Sequence, residues 1–285
     1  MQTKDKEQVR EAVRESYGKI AKTGNFVPEI GAAISCCGES AATAETKTAA
    51  ACCGGPEVSP EQMSTLMGYS TEDINSVPEG ANMGLGCGNP VALASLKTGE
   101  TVVDLGAGGG FDCFLAAKEV GATGQVIGVD MTPEMVQKAR LNAEKIGADN
   151  VDFRLGEIEN LPVADNSADI IMSNCVINLS PDKSSVYRDA FRILKPGGRL
   201  AISDIVATAK LPEEIQKDLA LVSACVGGAA TIDDTAAMLK EVGFQDVKIT
   251  PKDESRKLIQ QWAPDKSKNA RDYIVSAYIE AVKPA

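Results

Sequence analysis

Hydrophobic positions recur every three or four residues between residues 5 and 22, where Val9, Val13, Tyr17 and Ile20 fall on one face of a helix. From residue 99 the rhythm changes. Short apolar runs alternate with amphipathic stretches, which predicts strands over 101–105, 125–129, 151–155, 168–173, 198–204, 246–250 and 272–281. The same pattern predicts helices over 111–120, 133–147, 182–194, 212–224 and 231–242. Thr132 and Pro133 supply an N-cap and a first-turn proline, and Gly147, Gly197 and Gly243 mark helix ends or turns. Strands joined by helical crossovers imply an α/β, doubly wound, Rossmann-like sheet. No internal repeat is found.

Between these regions the pattern fades. Residues 36–56, CCGESAATAETKTAAACCGGP, contain no large apolar side chain. Such a segment buries little and is expected to be mobile unless its thiols are ligated. A loop and a short helix follow, ending at GLGCGNP, residues 84–90. Three parts are therefore expected. Residues 1–98 hold the helix, the cysteine-rich segment and an active-site loop. Residues 99–205 form the nucleotide-binding core, and 206–285 complete the sheet and cover the substrate site.

Composition narrows the chemistry. The chain is 44% hydrophobic, enough for a sizeable core, yet no apolar run is long enough to span a bilayer, and the charged, helical N-terminus does not resemble a signal peptide. Membrane association is not expected; a cytoplasmic location is. With 29 basic and 40 acidic residues, a net charge of −11 argues against nucleic acid as a partner and favours a cationic cofactor. There is no histidine, so the commonest general base and imidazole metal ligand are both missing. Chemistry must then rest on carboxylates, Lys, Tyr or thiols. The eight cysteines are Cys36, Cys37, Cys52, Cys53, Cys87, Cys113, Cys175 and Cys225. In a reducing interior they point to redox or metal chemistry rather than structural disulfides.

The segment DLGAGGG places Gly106, Gly108 and Gly110 between a first strand and a helix, where the backbone must turn tightly and approach a ligand. Asp130 ends the second strand, where a carboxylate can take both ribose hydroxyls. A dinucleotide fingerprint would need glycine at position 111, which is Phe111, and an acid, Asp104, precedes the turn. Together with GEIENLPVADNSADIIMSNCVINL and RILKPGGRLAISD, these residues resemble the class I S-adenosylmethionine methyltransferases over about residues 99–205. The resemblance implies cofactor contacts from Asp104, Gly106, Gly108, Gly110, Asp130, Met131 and Asn174, with Glu157 and Ile158 flanking the adenine. The loop from Ser173 would face the methyl group. For Glu157 a solvated loop carboxylate is the alternative.

Three cysteines fall on segments that this fold directs to one crevice. Cys175 follows the fourth strand, Cys225 lies in SACVGGAAT beyond the fifth, and Cys87 precedes the first. Buried cysteine also behaves as a small hydrophobe, and that alternative stands for Cys175 and Cys225 singly and is the reading for Cys113. Cys87 sits among glycines that offer it little core. Three thiolates select a soft ion. Zinc is disfavoured, because closely spaced C-x-x-C pairs and histidine are missing. Trivalent arsenic takes three sulfurs and keeps a lone pair that can attack a sulfonium methyl, with no proton lost and no base required.

The segments YSTEDINSVPEGANMGLGCGNP, SNCVINL and SACVGGA are similar to those of arsenite methyltransferases of the archaeal and bacterial type, over roughly residues 68–282. That resemblance implies arsenic held by Cys175 and Cys225, with Cys87 as third ligand or resolving thiol. It also implies an N-terminal redox cysteine, Cys52 or Cys53 ahead of Cys36 or Cys37. Arsenite would arrive as a thiol conjugate and exchange onto thiolates, so each cysteine is expected in an accessible setting with a lowered pKa. A cysteine disulfide would return arsenic to the trivalent state, and thioredoxin, glutaredoxin or glutathione would act as external thiol reductant. A disulfide between adjacent cysteines is strained, so pairing between the two CC clusters or with Cys87 is favoured; a metal-scavenging tail is the alternative for those clusters. Some relatives carry a tyrosine where this chain has Leu85. Two rival readings remain: a methyltransferase of a small organic substrate, and a metalloid- or zinc-binding protein without turnover.

Overall fold

A computed structural model describes residues 3–23, 59–255 and 271–285. The helices, in chain order, are α1 (Thr3–Thr23), α2 (Pro60–Met67), α3 (Thr71–Asn75), α4 (Pro90–Ala94), α5 (Phe111–Val120), α6 (Pro133–Ile146), α7 (Lys183–Ile193), α8 (Glu213–Lys217), α9 (Leu219–Ser223) and α10 (Ile232–Val242). The strands are β1 (Thr101–Leu105), β2 (Gln125–Asp130), β3 (Val151–Leu155), β4 (Ala168–Asn174), β5 (Leu194–Ala207), β6 (Gln245–Lys252) and β7 (Ile274–Val282). They form one seven-stranded sheet in the order β3-β2-β1-β4-β5-β7-β6. β1 to β5 are parallel, and β7 is antiparallel to both β5 and β6.

The central strands are buried on both faces, which explains why β1 after Thr101 is apolar apart from Asp104. One core, built on Val103, Leu105, Ile171 and Ile202, lies under α7 and α10; the other, built on Val102, Val126, Ile170 and Met172, lies under α5 and α6. The sheet continues in opposite directions from β1 and β4. Loops leaving the carboxyl ends of these two strands therefore separate, and that opens the crevice where such folds bind ligands.

The α/β expectation holds, with most element bounds within a few residues of the sequence reading. Two differences have local causes. The helix expected over 212–224 is two, because the Asp218 side chain accepts the Ala220 and Leu221 N–H groups and starts α9 afresh. The single short helix expected before residue 90 is two, α2 and α3, which open with serine capping boxes at Ser59 and Ser70. Thr132 and Pro133 begin α6 as read, and left-handed Gly147 and Gly243 end α6 and α10. Among the described residues no helix is long and apolar enough to cross a membrane.

Candidate functional site

The turn after β1 has its glycines in the left-handed region: φ is 71° at Gly106, 52° at Gly108 and 93° at Gly110. A Cβ on Gly106 would overlap Val176, and one on Gly110 would come within 2.7 Å of Phe114 and 2.8 Å of Phe153. Glycine is thus required for both conformation and space. The turn is tied to β2: Gly108 N–H donates to Asp130 at 3.0 Å, and Thr132 N–H to the other carboxylate oxygen at 2.8 Å. Burial raises the Asp130 carboxyl above its usual range, and it raises Asp104 well above, with the nearby Asp112 adding to the shift. Cys113 donates its thiol to Asp104 at 3.2 Å and is fully buried, as expected for a core position. A nucleoside carrying a positive charge fits this turn: the backbone is open to close approach, and among the described residues Asp104, Asp112 and Asp130 have no cation among their hydrogen-bond partners.

From the turn the site continues through a polar chain in which the sequence singles out Asn174 and Cys87 but neither Tyr69 nor Asp112. Tyr69 donates to Asp112 at 2.6 Å. The Asn174 amide nitrogen lies 3.2 Å from the same carboxylate, 3.0 Å from the Tyr69 hydroxyl and 2.9 Å from the Gly88 carbonyl. Its oxygen accepts Cys87 N–H at 3.0 Å, and Ser276 donates to the Cys87 carbonyl at 2.7 Å. The glycines around Cys87 therefore bring backbone against β4 and β5. A Cβ on Gly86 would come within 2.7 Å of Asn174, and one on Gly88 would overlap Ser203. Strand β4 runs through Asn174, so the loop expected from Ser173 begins at Cys175.

Cys87, Cys175 and Cys225 converge as expected, in one cluster with Leu179, Ile205 and Val226, and Met131 packs against it. The Cys225 thiol donates to the Cys175 carbonyl at 2.9 Å. Both Cys175 and Cys225 have left-handed backbones, with φ of 60° and 58°. Left-handed cysteine is uncommon and marks a backbone held by its surroundings. Cys175 N–H is fixed by the Ser203 carbonyl at 2.8 Å, and Cys225 N–H by Val222 at 2.9 Å.

Two expectations are corrected here. The cysteines are not accessible: Cys87, Cys175 and Cys225 are 1%, 7% and 4% exposed, so the glycine loop does give Cys87 a core. Nor is Cys175 acidic. Its neighbours Cys225 and Cys87, and then burial, push its thiol well above the ordinary value. What the sequence missed is Asp204, whose carboxylate lies with the Cys87 and Cys175 sulfurs in a group whose ligand atoms are all within 4.8 Å of one another. Asp204 accepts N–H bonds from Ile177 at 2.9 Å and Ile205 at 2.7 Å, while burial raises its carboxyl to about 6. Lys183, which donates to the Ser180 carbonyl at 3.1 Å, is lowered to about 8 by burial, against the pull of Asp204 and Cys225. The only sequence signal for Asp204 was its place at the end of RLAISD.

Helix α1 covers this arrangement. It packs on α6, α9 and the 3-10 turn at Ile177–Leu179, and Val13 is buried in the thiol cluster with Val9 and Tyr17 against it. Ion pairs hold its polar face: Lys6 to Asp182 at 2.6 Å, Arg10 to Glu159 at 3.3 Å, Arg10 and Arg14 to Glu157 at 3.3 and 3.5 Å, and Lys22 to Glu134 at 2.9 Å. The Arg10 Nε contact is an ion pair without hydrogen-bond alignment. Glu157 is therefore engaged by α1, and Ile158 beside it is buried. Leu85 packs against the Met83–Met135 cluster, as does Tyr17. Cys36, Cys37, Cys52 and Cys53 lie outside the described residues.

A methyltransferase-domain family matches residues 96–243. An arsenite methyltransferase of Halobacterium salinarum is 50% identical over 282 residues, covering 99% of this chain and 68% of its own length. One from Aquipseudomonas alcaligenes is 45% identical over 179 residues, 60% of this chain, and the match spans about half of that relative, 51%. Among solved structures, an arsenic(III) S-adenosylmethionine methyltransferase from Chlamydomonas reinhardtii aligns with a TM-score of 0.59 at 31% identity, covering 81% of this chain and 75% of that one.

Proposed function

The chain belongs to the arsenite methyltransferases, and from that premise we propose that it transfers methyl groups from S-adenosylmethionine to thiol-bound trivalent arsenic. The observation that carries the reading is the convergence of Cys87, Cys175 and Cys225, from three separate segments, in one buried cluster, with Val176, next to Cys175, against Gly106 of the glycine turn.

Gly106, Gly108 and Gly110 with Asp104, Asp130, Met131, Glu157 and Ile158 are the residues assigned to the methyl donor, while Asn174, read with them from the sequence, holds the Cys87 loop through its side-chain oxygen. When bound, S-adenosylmethionine supplies an electrophilic methyl, which the lone pair of arsenic can take without losing a proton. The chain's own part is to hold arsenic in place, and alignment of that kind supplies much of a transfer rate. Cys175 and Cys225 take arsenic from a thiol conjugate, with Cys87 as third ligand or resolving thiol. Each exchange needs a thiolate. In a protein where Cys175 is raised, the Asp204 carboxylate lies within 4.8 Å of the Cys175 sulfur, where it can accept that proton.

Methylation leaves arsenic formally pentavalent. Two cysteine thiolates closing to a disulfide return two electrons and restore the trivalent state. Cys52 or Cys53, then Cys36 or Cys37, are candidates for relaying that disulfide outward to thioredoxin, glutaredoxin or glutathione. A cytoplasmic site of action follows from the need for such a reductant.

The test is methylated arsenic measured by chromatography with mass detection, after incubation of the chain with arsenite, S-adenosylmethionine and a thioredoxin system. Wild type should give product, and Cys175→Ser and Cys225→Ser should give none while still binding S-adenosylmethionine. No product from wild type that still binds S-adenosylmethionine would refute the arsenic reading and favour a small organic substrate. Full activity in Cys175→Ser would remove that thiol from the arsenic site.

A further inference from the structure

Tyr17 stands where the two halves of the reaction meet. It lies on the buried face of α1, and its ring packs against the cluster that holds Cys87, Cys175 and Cys225. It packs equally against the cluster of Ile20, Ala21, Met83 and Met135. Met83 reaches over the glycine turn: its Cε lies 3.5 Å from the place of a Cβ on Gly108 and 3.2 Å from that on Gly109. Tyr17 is thus between the cover of the turn and the thiols.

Its hydroxyl points inward to the Ser223 carbonyl, two residues before Cys225, at 3.5 Å. A bond that long is weak, so packing rather than hydrogen bonding places the ring. The other apolar residues that α1 turns inward, Val9, Val13 and Ile20, are aliphatic. Tyr17 is the one aromatic side chain of α1.

We propose that Tyr17 is a specificity-determining residue, whose ring roofs the three-thiol cluster and limits the bulk of the arsenical held there. The inference rests on the arsenic reading above. It requires that an arsenical with a large organic substituent meet the ring, whereas arsenite does not. Binding of phenylarsenoxide exchanges two hydroxyl groups of its hydrated form for two thiols and releases two waters, with no change in arsenic oxidation state. Uptake can therefore be read without turnover.

The experiment uses the full reduced chain with Cys36, Cys37, Cys52 and Cys53 replaced by serine, so that bound arsenic reports the cluster. Uptake of arsenite and of phenylarsenoxide is followed by native mass spectrometry in this background and with Tyr17→Ala or Tyr17→Phe added. S-adenosylmethionine binding verifies the fold of each variant, and Tyr17→Leu repeats the test should the alanine variant fail that check. Tyr17→Ala should raise the phenylarsenoxide-to-arsenite rate ratio at least tenfold, and Tyr17→Phe should leave it unchanged. Arsenite uptake with the same ratio in every variant would overturn the inference alone. So would a phenylalanine variant that shifts as far as alanine, because the hydroxyl rather than the ring would then be at work. Failure of the parent protein to take up either arsenical would overturn this inference and the arsenic reading together.

Discussion

At the scale of single residues, the site is held by backbone more than by side chains. Cys175 and Cys225 sit in the left-handed region, which costs a non-glycine residue roughly 1–2 kcal/mol. Replacing Ala by Gly normally destabilises by about 0.5–1 kcal/mol. At position 175 the order should be lost or reversed, with Cys175→Gly at least as stable as Cys175→Ala in urea unfolding; the usual deficit for glycine would show that no strain is stored there. Asn174 is the second residue whose role is positional. It supplies the acceptor for Cys87 N–H and the donor for Gly88, Tyr69 and Asp112. Asn174→Ala should leave S-adenosylmethionine affinity within a few-fold and lower arsenite methylation by at least tenfold, as judged by calorimetry and product analysis. An equal loss in both would mean that Asn174 serves the donor directly.

At the scale of elements, α1 decides access. The thiols lie beneath it, and the pairs of Arg10 and Arg14 with Glu157 and Glu159 pin its middle. Ion pairs of this exposure contribute about 0.2–1 kcal/mol each. Losing the three should cost about 1–2 kcal/mol, which is about a 5- to 30-fold rise in the open population. Alkylation of Cys87, Cys175 and Cys225 in the combined Arg10→Ala and Arg14→Ala variant should accelerate by that factor, and high salt should have a similar effect on wild type. Alkylation rates insensitive to both would show that the thiols are reached by another route. This helix also marks the limit of what the chain pattern discloses. Its apolar face, Val9 to Ile20, was legible from spacing alone, and the glycine turn and Asp130 from local rules of turn and strand end, whereas the meeting of the three cysteines was expected from the fold's topology and the family resemblance. What lies beneath that face was not legible from such local rules. Tyr17 meets Cys225 across some two hundred residues, and Asp204 reads as an ordinary strand residue until β5 sets it beside Cys87 and Cys175. The closeness of Cys225 and Cys87 that, with burial, raises Cys175 is likewise a property of packing, and no spacing in SNCVINL encodes it.

For the whole molecule the decisive feature is where the acid lies. Asp104, Asp112, Asp130 and Asp204 are buried or nearly so around the carboxyl ends of β1, β2 and β5, and burial raises all four. Asp112 and Asp204 are each raised to about 6. Because the folded value exceeds the unfolded one near 4, the folded state keeps a proton that the unfolded state has released. The stabilisation is full below about pH 4, is lost at about 1.4 kcal/mol per pH unit per group up to about pH 6, and is constant above that. Asp112→Asn mimics the protonated form, so its stability relative to wild type should rise between pH 4 and 6 and then level off; parallel unfolding midpoints across that range would remove Asp112 from the account. The same charges bear on the donor. Above pH 6 an ionised Asp112 favours the cationic sulfonium over its neutral thioether product. The ratio of S-adenosylmethionine to S-adenosylhomocysteine affinity should therefore increase from pH 5 to pH 7.5, and Asp112→Asn should flatten that increase. A ratio independent of pH in calorimetric titrations would mean that the buried acids serve the fold and not the discrimination between substrate and product.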